Sequence, residues 1–132
     1  MLEEKMLRQK VWTVVGVGQD QAKYANKIYY KLKQLNYRVY AVNPLYDSIE
    51  GDPIYPSLAA LPEKPDVVNL VVAPRISEKY LREAAGLGIK HIWLQPGTHD
   101  LAVLELANEL GLEAVQACVL VAARHPFAAE NV

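Results

Sequence analysis

The chain has 132 residues, 52% of them hydrophobic and 22% charged, which is ample for one core and short for two, so a single domain over residues 1–132 is expected. Fourteen Lys plus Arg against fifteen Asp plus Glu give a formal charge of -1 with no long block of either sign, a balance that argues against nucleic acid and against an anionic membrane surface as partners. The single cysteine, Cys118, excludes an intramolecular disulfide framework and fits a reducing, cytoplasmic location.

The opening MLEEKMLRQK is charged throughout and lacks the apolar centre of a secretory signal; a short helix is expected there. Val11 to Val17 (VWTVVGV) is a β-branched, nearly continuous apolar run interrupted by glycine at 16 and 18, the pattern of a strand buried on both faces. From Gln21 to Asn36 the apolar positions Ala22, Ala25, Ile28, Tyr29, Leu32 and Leu35 recur three or four apart with lysines between them, which predicts an amphipathic helix. Arg38 to Asn43 (RVYAVN) reads as the second strand. Pro44, Gly51, Pro53 and Pro56 then mark a connection with room for one helical turn at Ser57 to Leu61.

Asp66 to Ala73 (DVVNLVVA) reads as the third strand, Ser77 to Leu87 as a helix stopped by Gly88, and Lys90 to Gln95 as the fourth strand. Thr98 to Leu110 reads as a helix closed by Gly111, and Glu113 to Ala117 as the last strand. The longest apolar runs fall well short of the roughly 20 residues of a membrane-spanning helix. Short apolar strands alternating with helices require parallel pairing through right-handed crossovers. The expected fold is α/β, a Rossmann-like doubly wound five-stranded parallel sheet in the order 3-2-1-4-5 with helices on both faces, its core over about 8–120 and residues 121–132 as a tail. Ligands of such sheets lie at the carboxyl ends of the strands, so the strand ends carry the function.

After the first strand, Gly16-Val17-Gly18-Gln19 begins a dinucleotide fingerprint whose third glycine is replaced by Gln21. Two glycines let backbone N–H groups approach a diphosphate at a helix start; a tight strand-to-helix turn uses the same residues for backbone reasons alone. The second strand ends in Asn43-Pro44, where a NAD-binding domain carries an acidic residue for the ribose hydroxyls, so NAD loses ground. The third ends in Val72-Ala73-Pro74-Arg75, in which Pro74 stops the strand, Arg75 meets a phosphate or simply faces water, and Ser77 caps the next helix. The fourth ends in Gln95-Pro96-Gly97-Thr98, a set of types that suits either a ligand floor or a plain turn with Thr98 as N-cap. Lys23 stands in the first turn of a helix, where an anion would offset its charge. Cys118 follows the last strand without an adjacent His or Asp to activate it, which suits a small buried hydrophobe. His91, His99 and His125 have no metal-binding spacing.

Taken together, Gly16-Val17-Gly18, Val42-Asn43-Pro44, Pro74-Arg75-Ile76-Ser77, Trp93-Leu94-Gln95-Pro96-Gly97 and Cys118 resemble the small single-domain CoA-binding proteins, a family similar to the N-terminal domain of the succinyl-CoA synthetase α subunit. The resemblance implies coenzyme A or an acyl-CoA bound across the strand ends. Its diphosphate would lie near Gly16 to Gln19, and its ribose or 3′-phosphate near Asn43, Pro44 and Lys23. The adenine edge would fall near Val72 to Arg75 and the pantetheine near Gln95, Pro96 and Gly97, with the thiol toward Cys118. Two departures stand out: Gly18 replaces a serine common in the family, so backbone N–H groups must meet the phosphate, and the apolar Val119 to Ala123 replaces an acidic-His-basic cluster.

The expected role is non-catalytic binding of a small-molecule CoA ligand, with a homodimer or a partner enzyme in trans as the protein partner. The competing readings are a nucleotide-binding redox or regulatory protein that uses Cys118 in a mixed disulfide with CoA, a NAD(P)-sensing module, and an interaction protein that has lost its ligand.

Overall fold

A computed structural model of the chain describes residues 2–126. The sheet consists of β1 (Val11–Val15), β2 (Arg38–Val42), β3 (Ser48–Ile49), β4 (Asp52–Tyr55), β5 (Val67–Leu70), β6 (His91–Leu94) and β7 (Glu113–Gln116). The helices are α1 (Leu2–Leu7), α2 (Tyr24–Gln34), α3 (Pro74–Gly86), α4 (Leu101–Glu109) and α5 (Val119–Ala122). The strands lie in the order β3-β4-β2-β1-β5-β6-β7, all neighbours parallel except the β3–β4 hairpin.

This corrects the expected five parallel strands in the order 3-2-1-4-5. The strand that follows Asp66 lies beside β1 and not beyond β2. Its residues Val67, Val68, Asn69 and Leu70 are all buried, and a strand covered on both faces belongs at the centre of a sheet. The place beyond β2 is taken by β4, from a segment whose Pro53 and Pro56 read as loop. Of β4 only Ile54 is buried, and a short strand containing proline is tolerated near an edge.

The helices cover the two faces unequally. Trp12, Val14 and Trp93 pack against α2 with Met6 of α1 and Val119 of α5, whereas Val15, Leu70 and Ile92 pack against Leu81 of α3 and Val103 of α4. The two buried indoles stack at 5.6 Å, and each keeps its N–H satisfied, Trp12 by Gln9 O at 3.0 Å and Trp93 by Ala117 O at 2.8 Å. No helix among the described residues is long and apolar enough to cross a membrane.

Three helix starts differ from the sequence reading: two are delayed by a preceding turn or cap, and one is brought forward by proline. Asp20 takes the N–H of Ala22 on its side chain at 2.9 Å and that of Lys23 on its carbonyl at 3.1 Å, so α2 begins at Tyr24 and not Gln21. Proline at the first helical position starts α3 at Pro74, which leaves Ser77 inside the helix and not capping it. Asp100 and not Thr98 caps α4, accepting the Val103 N–H at 2.9 Å. The segment 57–61 forms turns only, and the expected tail begins as α5; residues 127–132 of that tail, like Met1, lie outside the described residues.

Candidate functional site

From β1 the chain winds outward through β2 to β4, then returns to the other side of β1 as β5, which places the switch point between the carboxyl ends of β1 and β5. Gly16, at φ +113°, is required there: a Cβ on it would stand 2.5 Å from the carbonyl oxygen of Val71 and 3.2 Å from Val72 Cγ1. The loops after the two strands are therefore in van der Waals contact.

Beyond Gly16 the loop is held by two amide side chains. Fully buried Asn26 of α2 accepts the Gly18 N–H and donates to the Gly18 carbonyl, both at 2.9 Å. The Gly18 N–H, expected to meet a phosphate, is thus already committed. Asn43 donates from Nδ2 to the Val17 carbonyl at 3.0 Å and accepts the Leu45 N–H on Oδ1 at 2.9 Å, so it turns the corner at Pro44 and pins the glycine loop. The backbone N–H groups of Gln19, Asp20 and Gln21 make no hydrogen bond to a described residue. Lys23, the N-cap position of α2, and Arg75, in the first turn of α3, are exposed and form no ion pair among the described residues. Val72 and Ala73 form the loop into α3, with Ala73 at its N-cap position.

At the end of β6, Gln95 to Thr98 makes a type II turn: Pro96 occupies the second position, Gly97 the third at φ +88°, and the Thr98 N–H reaches Gln95 O at 3.1 Å. Pro96 and Gly97 are exposed, whereas the Gln95 side chain is fully buried and accepts the Val119 N–H on Oε1 at 2.9 Å. Its Nε2 has no hydrogen-bond partner. The neighbouring amide of Asn69, in the middle of β5 and in register with Trp93, is buried with both polar atoms unpartnered.

Cys118 is the N-cap residue of α5 and is half-buried. The Tyr24 hydroxyl lies 2.5 Å from its Sγ. Burial pushes the thiol up, but the hydrogen bond with the Tyr24 hydroxyl and the polar groups of Leu120, Val121 and Gln95 around it outweigh burial and leave the thiol below its ordinary pKa. The same bond raises Tyr24, aided by burial. So α5 carries the cysteine from the edge strand back over the sheet to the start of α2. Tyr24, Asn26 and Asn69 were missed by the sequence reading; only Asn69, an amide inside an otherwise apolar strand, carried a visible signal.

Residues 10–124 match a family described as a CoA binding domain. The chain belongs to that family. Acetate–CoA ligase [ADP-forming] I of Archaeoglobus fulgidus is 29% identical over 122 residues, which cover 85% of this chain and 18% of that protein. This CoA-binding-family chain therefore spans less than a fifth of that curated relative. A hypothetical protein from Pyrococcus horikoshii OT3 has the same fold with a TM-score of 0.84 and 32% identity, covering 92% of this chain and 86% of the other. The apo form of the dinucleotide-forming acetyl-coenzyme A synthetase 1 of Ca. Korarchaeum cryptofilum superposes with a TM-score of 0.72 at 20% identity, over 94% of this chain and 30% of that one, a likeness of fold. The CoA-binding family anticipated from the strand-end motifs is the family found.

Proposed function

We propose that the chain binds coenzyme A or an acyl-CoA across the switch point as a non-catalytic module. The observation that carries this reading is the conjunction of backbone N–H groups at Gln19 to Gln21 and the cations Lys23 and Arg75, none of them partnered among the described residues, at the crevice of a CoA-binding-family fold. Anions at such a place gain charge-assisted hydrogen bonds and the favourable end of a helix dipole. Buried amide atoms without partners, on Gln95 and Asn69, fit a ligand whose pantetheine carries amides of its own.

In this reading the diphosphate lies against the loop from Gly16 to Gln19, with the 3′-phosphate on the Lys23 side and the adenine along Val72 to Arg75. The pantetheine runs past Gln95, Pro96 and Gly97 toward Cys118. In this reading the chain holds CoA for a partner enzyme in trans or for a second copy of itself. Calorimetric titration with CoA, dephospho-CoA, ADP and NAD in one buffer tests the reading. CoA is expected to bind, and to bind more weakly without its 3′-phosphate. Equal affinities for CoA and dephospho-CoA overturn the phosphate assignment, and no binding by folded protein overturns the function.

A further inference from the structure

The thiol of Cys118 is set among more donors than a structural cysteine uses. Tyr24 offers a hydroxyl at 2.5 Å, and Gln95 reaches over from the end of β6 to the N–H of the adjacent Val119. Gln95 is the independent observation. Its side chain is fully buried, and the Val119 N–H fixes Oε1 as acceptor, which leaves Nε2 as a buried donor beside the sulfur with no partner of its own. A fixed, dehydrated N–H donor next to a nucleophile is the arrangement that stabilises the oxyanion of an acyl-transfer intermediate. Buried donors are seldom left unpaired without a reason.

We propose that Cys118 is an acyl acceptor: its sulfur attacks the carbonyl carbon of an acyl-CoA thioester, takes the acyl group, and releases CoA as the free thiol. This inference rests on the proposed CoA binding. The bond formed is Sγ to the carbonyl carbon, and the bond broken joins that carbon to the CoA sulfur. The proton given up by Cys118 ends on the departing CoA sulfur, with the Tyr24 hydroxyl beside it as the route. One thioester replaces another, so no oxidant or reductant enters. The negative charge that develops on the carbonyl oxygen is met by Gln95 Nε2. Tyr24 is a positioning residue, holding Sγ in place through its hydroxyl.

The experiment incubates the full chain with acetyl-CoA and reads intact mass, with CoA affinity measured by calorimetry on the same preparation. The expected result is one acetyl group per chain, mapped to Cys118, removed by neutral hydroxylamine and absent from Cys118→Ser. In Tyr24→Phe the acetylation rate at neutral pH falls about tenfold and its pH profile moves to higher pH, a shift a purely structural role would not produce. Binding of CoA without an acetyl adduct overturns the inference and leaves the binding function standing. An adduct of CoA mass released by reductant, or acetyl groups on lysines only, also overturns it. Failure to bind CoA refutes the binding function itself and is read separately by the calorimetry.

Discussion

Asn26 and Gly18 grip each other through two hydrogen bonds of 2.9 Å, the side-chain amide of one closing on the N–H and carbonyl of the other. Asn26 is fully buried, and among the described residues it is the partner of both backbone groups. Asn26→Leu keeps the volume and strands both, and is expected to lower stability by about 2–3 kcal/mol in urea denaturation. A loss within error of zero would show that water reaches the loop.

Two glycines at positive φ should respond differently to alanine. At Gly16 the new methyl group meets the Val71 carbonyl at 2.5 Å, whereas at Gly97 it meets open space. Gly97→Ala carries backbone strain alone, about 1–2 kcal/mol. Gly16→Ala adds a clash with backbone that cannot yield, and its denaturation midpoint is expected to fall clearly below that of Gly97→Ala. Equal midpoints would mean that the β1 and β5 loops are free to part.

Arg75→Ala and Lys23→Ala should leave the denaturation midpoint unchanged, since neither side chain forms an ion pair with a described neighbour. Each is expected to weaken CoA binding by about 1–2 kcal/mol, and the wild-type affinity should fall with added salt. Unchanged affinity in both variants would move the phosphates elsewhere.

Acid should destabilise the protein through two carboxylates remote from the crevice. The hydrogen bond from Lys33, at 2.5 Å, holds Asp52 below the ordinary carboxylate range; burial opposes it and Tyr29 assists. Glu63 is lowered by the Tyr40 hydroxyl and then by Arg38. A group whose folded pKa is depressed contributes stability that is complete above its unfolded pKa and vanishes as pH falls through the folded value. The urea midpoint is therefore expected to hold from pH 7 to about 5 and to drop below about 4. Asp52→Asn should lower the midpoint at pH 7 and shrink that acid-induced drop; since both pairs face solvent, the effect is modest.

What could be read from the chain was whatever had a period or a covalent constraint. The strand cores around Trp12, Val68 and Trp93 are apolar runs, α2 keeps its lysines on one side, and Pro96-Gly97 encodes its turn directly. β4 was illegible because a two-proline segment with a single inward side chain has no alternation to detect. The sheet order was misjudged for the same reason: without β4, the third strand seemed to belong at the edge. At the site, Gly16, Gln95 and Cys118 were visible as residue types at strand ends. Asn26 and Tyr24 were not, since their partners lie 8 and 94 residues away and only the folded chain brings them together.

The position of Cys118 also sets an order of events during synthesis. The glycine loop, Asn43, Arg75 and Gln95 all emerge before it, yet Trp93 and Gln95 find their acceptor and donor only on Ala117 and Val119. A chain that ends before β7 and α5 leaves an indole N–H and an amide unsatisfied and bares the apolar flank of β6. Such fragments expose apolar surface and unpaired donors of the kind proteases act on, so the fold around Cys118 closes only once β7 and α5 have been made.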